Sequence, residues 1–224
     1  MQQKQVNIRW EVVMMNQNEI RMYKFDVRAE QNEEHGHYIV GRPIVYGSPA
    51  NIGGLFTEII ERGALDETDL KDVRFLINHD TSMVPLARSR NNNENSTMQM
   101  IVDDEGMEIR VDLDVENNED ARKLYSAVKR GDMDGMSFAF NIKKGTDEWE
   151  NVRSEKPTRH VRKISKVTEV SAVTFPAYEA TQISARHNIA LDSAKATLDS
   201  VRSQSLDSEV GDVELIKAKL LALY

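Results

Sequence analysis

Met107-Glu108-Ile109-Arg110-Val111-Asp112-Leu113-Asp114-Val115 puts an apolar side chain at every odd position and a charged one at every even position. Successive side chains of a β-strand point to opposite faces, so this run reads as a strand with one face on a core and one in water. Outward from it the period stays mostly two. Further strands are predicted over Tyr23–Ala29, Tyr38–Tyr46, Val73–Asn78, Thr97–Val102, Met136–Ile142 and Val161–Phe175, separated by clusters of Gly, Asn and Asp. Many short strands with few helices predict a mainly β fold with flanking helices, built around a closed or nearly closed antiparallel sheet.

One helix interrupts the pattern. Asn117 or Asn118 can cap it, Glu119 and Asp120 suit its positive end, and Ala121, Leu124, Tyr125 and Val128 form an apolar stripe. Lys129 and Arg130 complement its carboxyl end and Gly131 can supply the left-handed stop. A weaker helical or turn segment is expected around Phe56–Leu70. The folded domain is placed at 19–187, after an N-terminal extension (1–18) and before a polar tail (188–224). Within that tail, Leu191 to Asp212 is rich in Ser and Asp, and Val213–Tyr224 carries Leu and Ile at helical spacing.

Composition narrows the chemistry. The 224 residues hold 29 basic and 37 acidic side chains, a net charge of −8, which argues against a broad phosphate-binding face and hence against nucleic acid. There is no cysteine, so a disulfide framework, a thiolate metal site and a cysteine nucleophile are all excluded. No signal-peptide core can be drawn near the start and no window approaches the ~18 apolar residues of a membrane span, so no membrane association is expected.

The nucleophile candidates are then Ser, Thr, Lys or a carboxylate, and a serine needs a base and a group that holds the base. His79 ends the run Val73-Arg74-Phe75-Leu76-Ile77-Asn78-His79-Asp80, where an apolar strand carries an imidazole to the rim of the core. A turn histidine capped by Asp80 would read the same way. Ser137 stands between Gly135-Met136 and Phe138-Ala139-Phe140, where small neighbours admit a substrate backbone and main-chain N–H groups can face an oxyanion. A serine on an ordinary strand edge is the plainer reading. Glu169 lies in an apolar strand, where a carboxylate is costly to bury without a partner such as a histidine Nδ1–H, although alternation with Val170 and Ala172 also lets it face water. Glu33-Glu34-His35-Gly36-His37 has a His-x-His spacing able to take a divalent ion, but in a charged loop with no evident buried support.

Taken in order, several segments resemble one family. They are Phe25–Glu30, Ile39–Ser48, Gly53–Leu65, Val73–Asp80, Gly131–Phe140 and Glu169–Tyr178, covering roughly 20 to 187. Together they are similar to the HK97-type prohead proteases of tailed phages, peptidase family S78. The resemblance implies a herpesvirus-assemblin-like β-barrel and a serine endopeptidase without metal or other cofactor. It implies that His79 is the general base, Ser137 the nucleophile and Glu169 the orienting acid, with His160, the position type used by assemblins, or Asp80 as the alternatives for that third role. It further implies work inside the prohead in the bacterial host cytoplasm. There the enzyme cleaves the scaffold portion of the major capsid protein or a separate scaffold protein and then itself, and a homodimer is an option for the active form. The chain departs from the family pattern at Ala87, at Arg42-Pro43, where proline suggests an edge or bend, and at Ala139. Two rival readings stand beside it: a catalytically inert capsid-assembly scaffold with the same barrel, and a metal-dependent hydrolase built on His35 and His37.

Overall fold

Residues 19–23, 27–142, 145–174, 192 and 194–205 are described by the computed structural model of the chain. In chain order the strands are β1 (Glu19–Tyr23), β2 (Val27–Asn32), β3 (Gly36–Val45), β4 (Ala50–Ile52), β5 (Phe56–Ile60), β6 (Asp72–Ile77), β7 (Ala87–Arg90), β8 (Met98–Val102) and β9 (Gly106–Leu113). Helix α1 (Glu119–Arg130) precedes β10 (Gly135–Ile142), β11 (Asp147–Glu150), β12 (Thr158–Val161) and β13 (Ile164–Val173). A second helix, α2 (194–205), follows in the Ser/Asp-rich stretch, and its Ala194 and Leu198 are buried in the common core. The terminal amphipathic pattern at 213–224, the extension at 1–18 and His187 lie outside the described residues.

The alternating run forms β9 as far as Leu113, with the odd residues 107–113 buried between β3 and β8, and Asp114 and Val115 lie beyond its end. Its first residue, Gly106, has φ 144°, and a Cβ there would lie 1.9 Å from the Ile44 carbonyl oxygen, so only glycine lets β3 and β9 approach. Pro43 falls where the β3–β9 register shifts between Gly41 and Ile44, the bend that proline in the early strand suggests. Helix α1 is bounded as its sequence implies. The Asn118 side chain accepts from the N–H groups of Asp120 and Ala121 at 3.0 and 3.2 Å, and Gly131 closes the helix at φ 77°. Its stripe of Ala121, Leu124, Tyr125 and Val128 is buried, toward β2, β3 and β9, with roughly 1.5–3 kcal/mol expected from each large apolar side chain.

The strands form three sheets: β1-β10-β13-β6-β7, β11-β12-β5-β4 and β2-β3-β9-β8. No closed barrel is traced among the described residues. The expectation of antiparallel pairing throughout is corrected at two places, since β12 runs parallel to β5 and β13 parallel to β6. Period-two patterning reports which face is buried and carries no information on strand direction. Two element assignments are also corrected. Phe56–Leu70 begins as strand β5 and continues as turns, and Val161–Phe175 is split between β12 and β13, while the ends of Tyr23–Ala29 fall in β1 and β2 and its middle lies outside the described residues. The core between the sheets is filled by fully buried Phe56, Phe75, Phe138 and Phe140 with Ile39, Ile44, Met98, Met107, Ile109 and Met136.

Candidate active site

Three neighbouring strands of the first sheet, β10, β13 and β6, supply the site. β13 is the middle one, and Ser137 on β10 faces Ser171 of β13 and Met22 of β1 in register. Facing residues share a side of the sheet and so do residues two apart, so Ser137, Ala139, Glu169 and Ser171 all lie on one face. Phe138 and Phe140 point the other way, into the core.

The parallel pairing of β6 with β13 brings in the imidazole. Ile77 ends β6 beside Ala172, and the Asn78 N–H donates to the Ala172 carbonyl at 2.9 Å. The chain then turns through two consecutive left-handed residues, Asn78 at φ 50° and His79 at φ 58°. Non-glycine residues seldom adopt this region, and such strain persists only where the surroundings hold it. Here they do. The Asn78 carboxamide oxygen accepts from the Thr174 N–H at 3.0 Å and its amide donates to Thr174 Oγ1 at 3.1 Å, while the His79 N–H donates to Ser171 Oγ at 3.1 Å.

So held, the His79 ring reaches two partners. Its Nδ1 is hydrogen-bonded to a carboxylate oxygen of Glu169, and its Nε2 lies 2.6 Å from Ser137 Oγ. An ionised carboxylate only accepts, so the proton on the first contact belongs to Nδ1 and leaves the Nε2 lone pair toward the serine. The other Glu169 oxygen accepts from the Ser171 hydroxyl at 2.7 Å. The His79 and Glu169 side chains are 8% and 10% exposed, and Ser137 is wholly buried. Ser137 Oγ has a second acceptor, the main-chain carbonyl of Arg21 on β1, also at 2.6 Å.

The structure therefore brings together His79, Ser137 and Glu169, which are separated by 58 and 90 residues from one another through the histidine. The alternatives for the acid position lie elsewhere. Asp80 accepts from the N–H and hydroxyl of Ser82 at 3.1 and 2.6 Å. His160, on β12, has its Nδ1 2.6 Å from Glu61 and its Nε2 3.5 Å from Glu150. His35 stands edge-on to Tyr38 and beside Glu34, whereas His37 is edge-on to Tyr125. Among the described residues no group of three or more His, Cys, Asp or Glu side chains is arranged to hold a metal ion. The N–H groups flanking Ser137 belong to a strand paired on both edges, which differs from the turn-like donors expected from the sequence. No described helix is long and apolar enough to cross a membrane.

Ser171 is the participant that sequence reasoning passed over. It sits two residues after Glu169 on the same strand face, and that spacing was the available signal. Arg21 was missed for a different reason, because it lies in a short strand whose inward residues are charged.

On the opposite side of β1 and β10 lies a second polar network. Arg21 donates to Glu58 at 2.6 and 3.0 Å and also to Glu19. Arg159 donates to Glu19 at 2.5 and 2.9 Å, to Glu58 at 3.0 Å and to Asp147 at 2.9 Å. Arg21 and Arg159 lie over the rings of Phe140 and Trp149. Burial alone would raise the Glu19 carboxyl, but Arg21 and Arg159 outweigh it and hold the group at about 2.

A carboxylate, an imidazole and a hydroxyl in this order are the arrangement by which a serine is activated for acyl transfer. Residues 23–197 match the model of the caudovirus prohead serine proteases, and the chain belongs to that family. A solved structure, that of the bacteriophage T4 capsid assembly protease, gp21, is similar at a TM-score of 0.36 and 13% identity, covering 70% of this chain and 99% of that one. No curated protein is similar at a significant level.

Proposed function

We propose that this serine protease is the head-maturation endopeptidase of a tailed phage, with Ser137 as nucleophile, His79 as general base and Glu169 as the acid that orients the imidazole. Its substrate is the scaffold portion of the major capsid protein or a separate scaffold protein inside the prohead, and it then cleaves itself. The observation that carries this reading is the single imidazole bonded through Nδ1 to Glu169 and set 2.6 Å from Ser137 Oγ through Nε2.

In the first step Ser137 Oγ attacks the scissile carbonyl carbon as its proton passes to His79 Nε2. Glu169 keeps the ring in the tautomer that leaves Nε2 free and stabilises the imidazolium that forms. The protonated ring then gives its proton to the leaving amine, the C–N bond breaks and an acyl-Ser137 remains. Water repeats the sequence and releases the acid. Ser171 ties the loop to the acid, since one hydroxyl accepts from the His79 N–H and donates to Glu169.

Co-expression with the cognate capsid precursor tests the reading. The parent chain is expected to shift the precursor to a smaller product and Ser137→Ala to leave it intact. Processing by Ser137→Ala would overturn the assignment, and an unprocessed precursor with the parent chain would favour an inert scaffold.

A further inference from the structure

We propose that β1 is a latch: the chain's own strand occupies the edge of β10 on which an extended peptide substrate pairs, and it leaves that edge before Ser137 can attack. The inference rests on Ser137 being the nucleophile.

Ser137 has no exposed surface, although an endopeptidase must bring a foreign carbonyl carbon to its Oγ. The main-chain carbonyl that does lie against Oγ belongs to Arg21 of β1, 2.6 Å away. A peptide running antiparallel along the nucleophile's strand, with a carbonyl at the hydroxyl, has the posture of a substrate added to a sheet edge. The contact is nevertheless unproductive, because the hydroxyl donates to the carbonyl oxygen. A proton engaged there is also withheld from His79 Nε2, which lies equally near.

One feature makes this strand removable and a second fixes where it returns. Among the described residues β1 is the outermost strand of its sheet, only five residues long, and β10 is its sole neighbour. A short strand paired on one edge has fewer bonds to break than one paired on both and opens at lower cost. An incoming peptide strand also restores the main-chain hydrogen bonds that β1 gives up, so the exchange conserves the ladder. The second feature is how β1 is seated. Glu19 and Arg21 are anchored to Glu58 and Arg159, and buried ion pairs define a position more than they add net stability. A slip of one residue would move both charges onto the Ser137 face, so the network admits a single register.

The chain has no cysteine, which permits a direct test. Ile20 and Ala139 face each other in the β1–β10 register, and antiparallel partners stand within disulfide range. Ile20→Cys/Ala139→Cys in the full chain gives a strand locked when oxidised and free when reduced. The probe is a fluorophosphonate. The Ser137 Oγ–P bond forms, the P–F bond breaks, fluoride departs and the hydroxyl proton passes to His79. Labelling read by intact mass is expected to be at least tenfold slower in the oxidised than in the reduced double variant, the same protein serving as its own reference. Equal rates in both states would overturn the latch alone, whereas a parent chain that takes no label would overturn the nucleophile assignment beneath it. Should the double variant not fold, hydrogen exchange on the parent chain decides: amides of 19–23 are expected to exchange by local opening well ahead of those of 164–173. Equal protection of the two strands would overturn the proposal.

Discussion

Two polar networks lie back to back across β1 and β10, and they differ in what their members can exchange. On the core side, Glu19, Arg21, Glu58, Arg159 and Asp147 are permanent charges pairing one another, with both guanidinium groups sealed from water. On the other side, Ser137, His79, Glu169 and Ser171 share mobile protons, and the imidazole keeps an opening to solvent. The first network contains more charge, yet every donor in it is a guanidinium and none is an imidazole. Burial and strong pairing therefore mark the structural network, whereas an imidazole with one ring nitrogen held and the other turned to a hydroxyl marks the one proposed to react.

Substitutions in the two networks should separate along that line. The largest effect is expected from His79→Ala, which removes the base. Cleavage of capsid precursor should fall about 10⁴- to 10⁶-fold while the melting temperature changes little. Breaking the core network should do the reverse. Glu58→Ala leaves Arg21 and Arg159 short of a buried partner and should cost about 3–5 kcal/mol in urea unfolding. Unchanged stability in that variant would erase the contrast. Glu169→Gln keeps the shape of the acid but removes its charge, so turnover should drop about 10²- to 10⁴-fold with an unaltered circular dichroism spectrum.

Acid should reach the core network through Glu19. Its carboxyl lies at about 2 in the folded chain and has an ordinary value near 4.5. A depressed folded value stabilises above the unfolded value, so this contribution is intact above pH 4.5 and is lost as pH falls toward 2. The loss is on the order of 3 kcal/mol. Denaturant titrations at pH 5 and pH 3 capture about half of it, and Glu19→Gln should flatten the Glu19 share of that slope. The smallest effect is expected from Ser171→Ala, a positioning change. It should lower kcat about tenfold with little change in KM, because it loosens both His79 and Glu169 without touching substrate.

The same contrast explains which parts were legible in the amino-acid sequence. The strand at 107–115, the caps and stripe of α1 and the apolar approach to His79 all obey simple periodicity, and the structure follows them. The core network is where periodicity misleads. In β1, β5 and β12 the inward positions are taken by Glu19, Arg21, Glu58 and Arg159, so each strand presents charge where an apolar residue is expected. Phe56–Ile60 accordingly falls in a segment expected as helix or turn, and Glu19–Met22 falls in no expected strand. His79, Ser137 and Glu169 were each visible only as one candidate with a plain alternative. Their meeting depends on the parallel β6–β13 pairing and the left-handed turn at Asn78–His79, neither of which local pattern encodes.

The central claim is that His79 activates Ser137, and the site of a covalent adduct tests it most directly. The parent chain is treated with a fluorophosphonate, digested and mapped by mass spectrometry, with His79→Ala as the comparison. The account predicts one adduct on Ser137 in the parent chain and its loss in His79→Ala. An adduct on a different residue, or equal labelling of Ser137 without the imidazole, would contradict it.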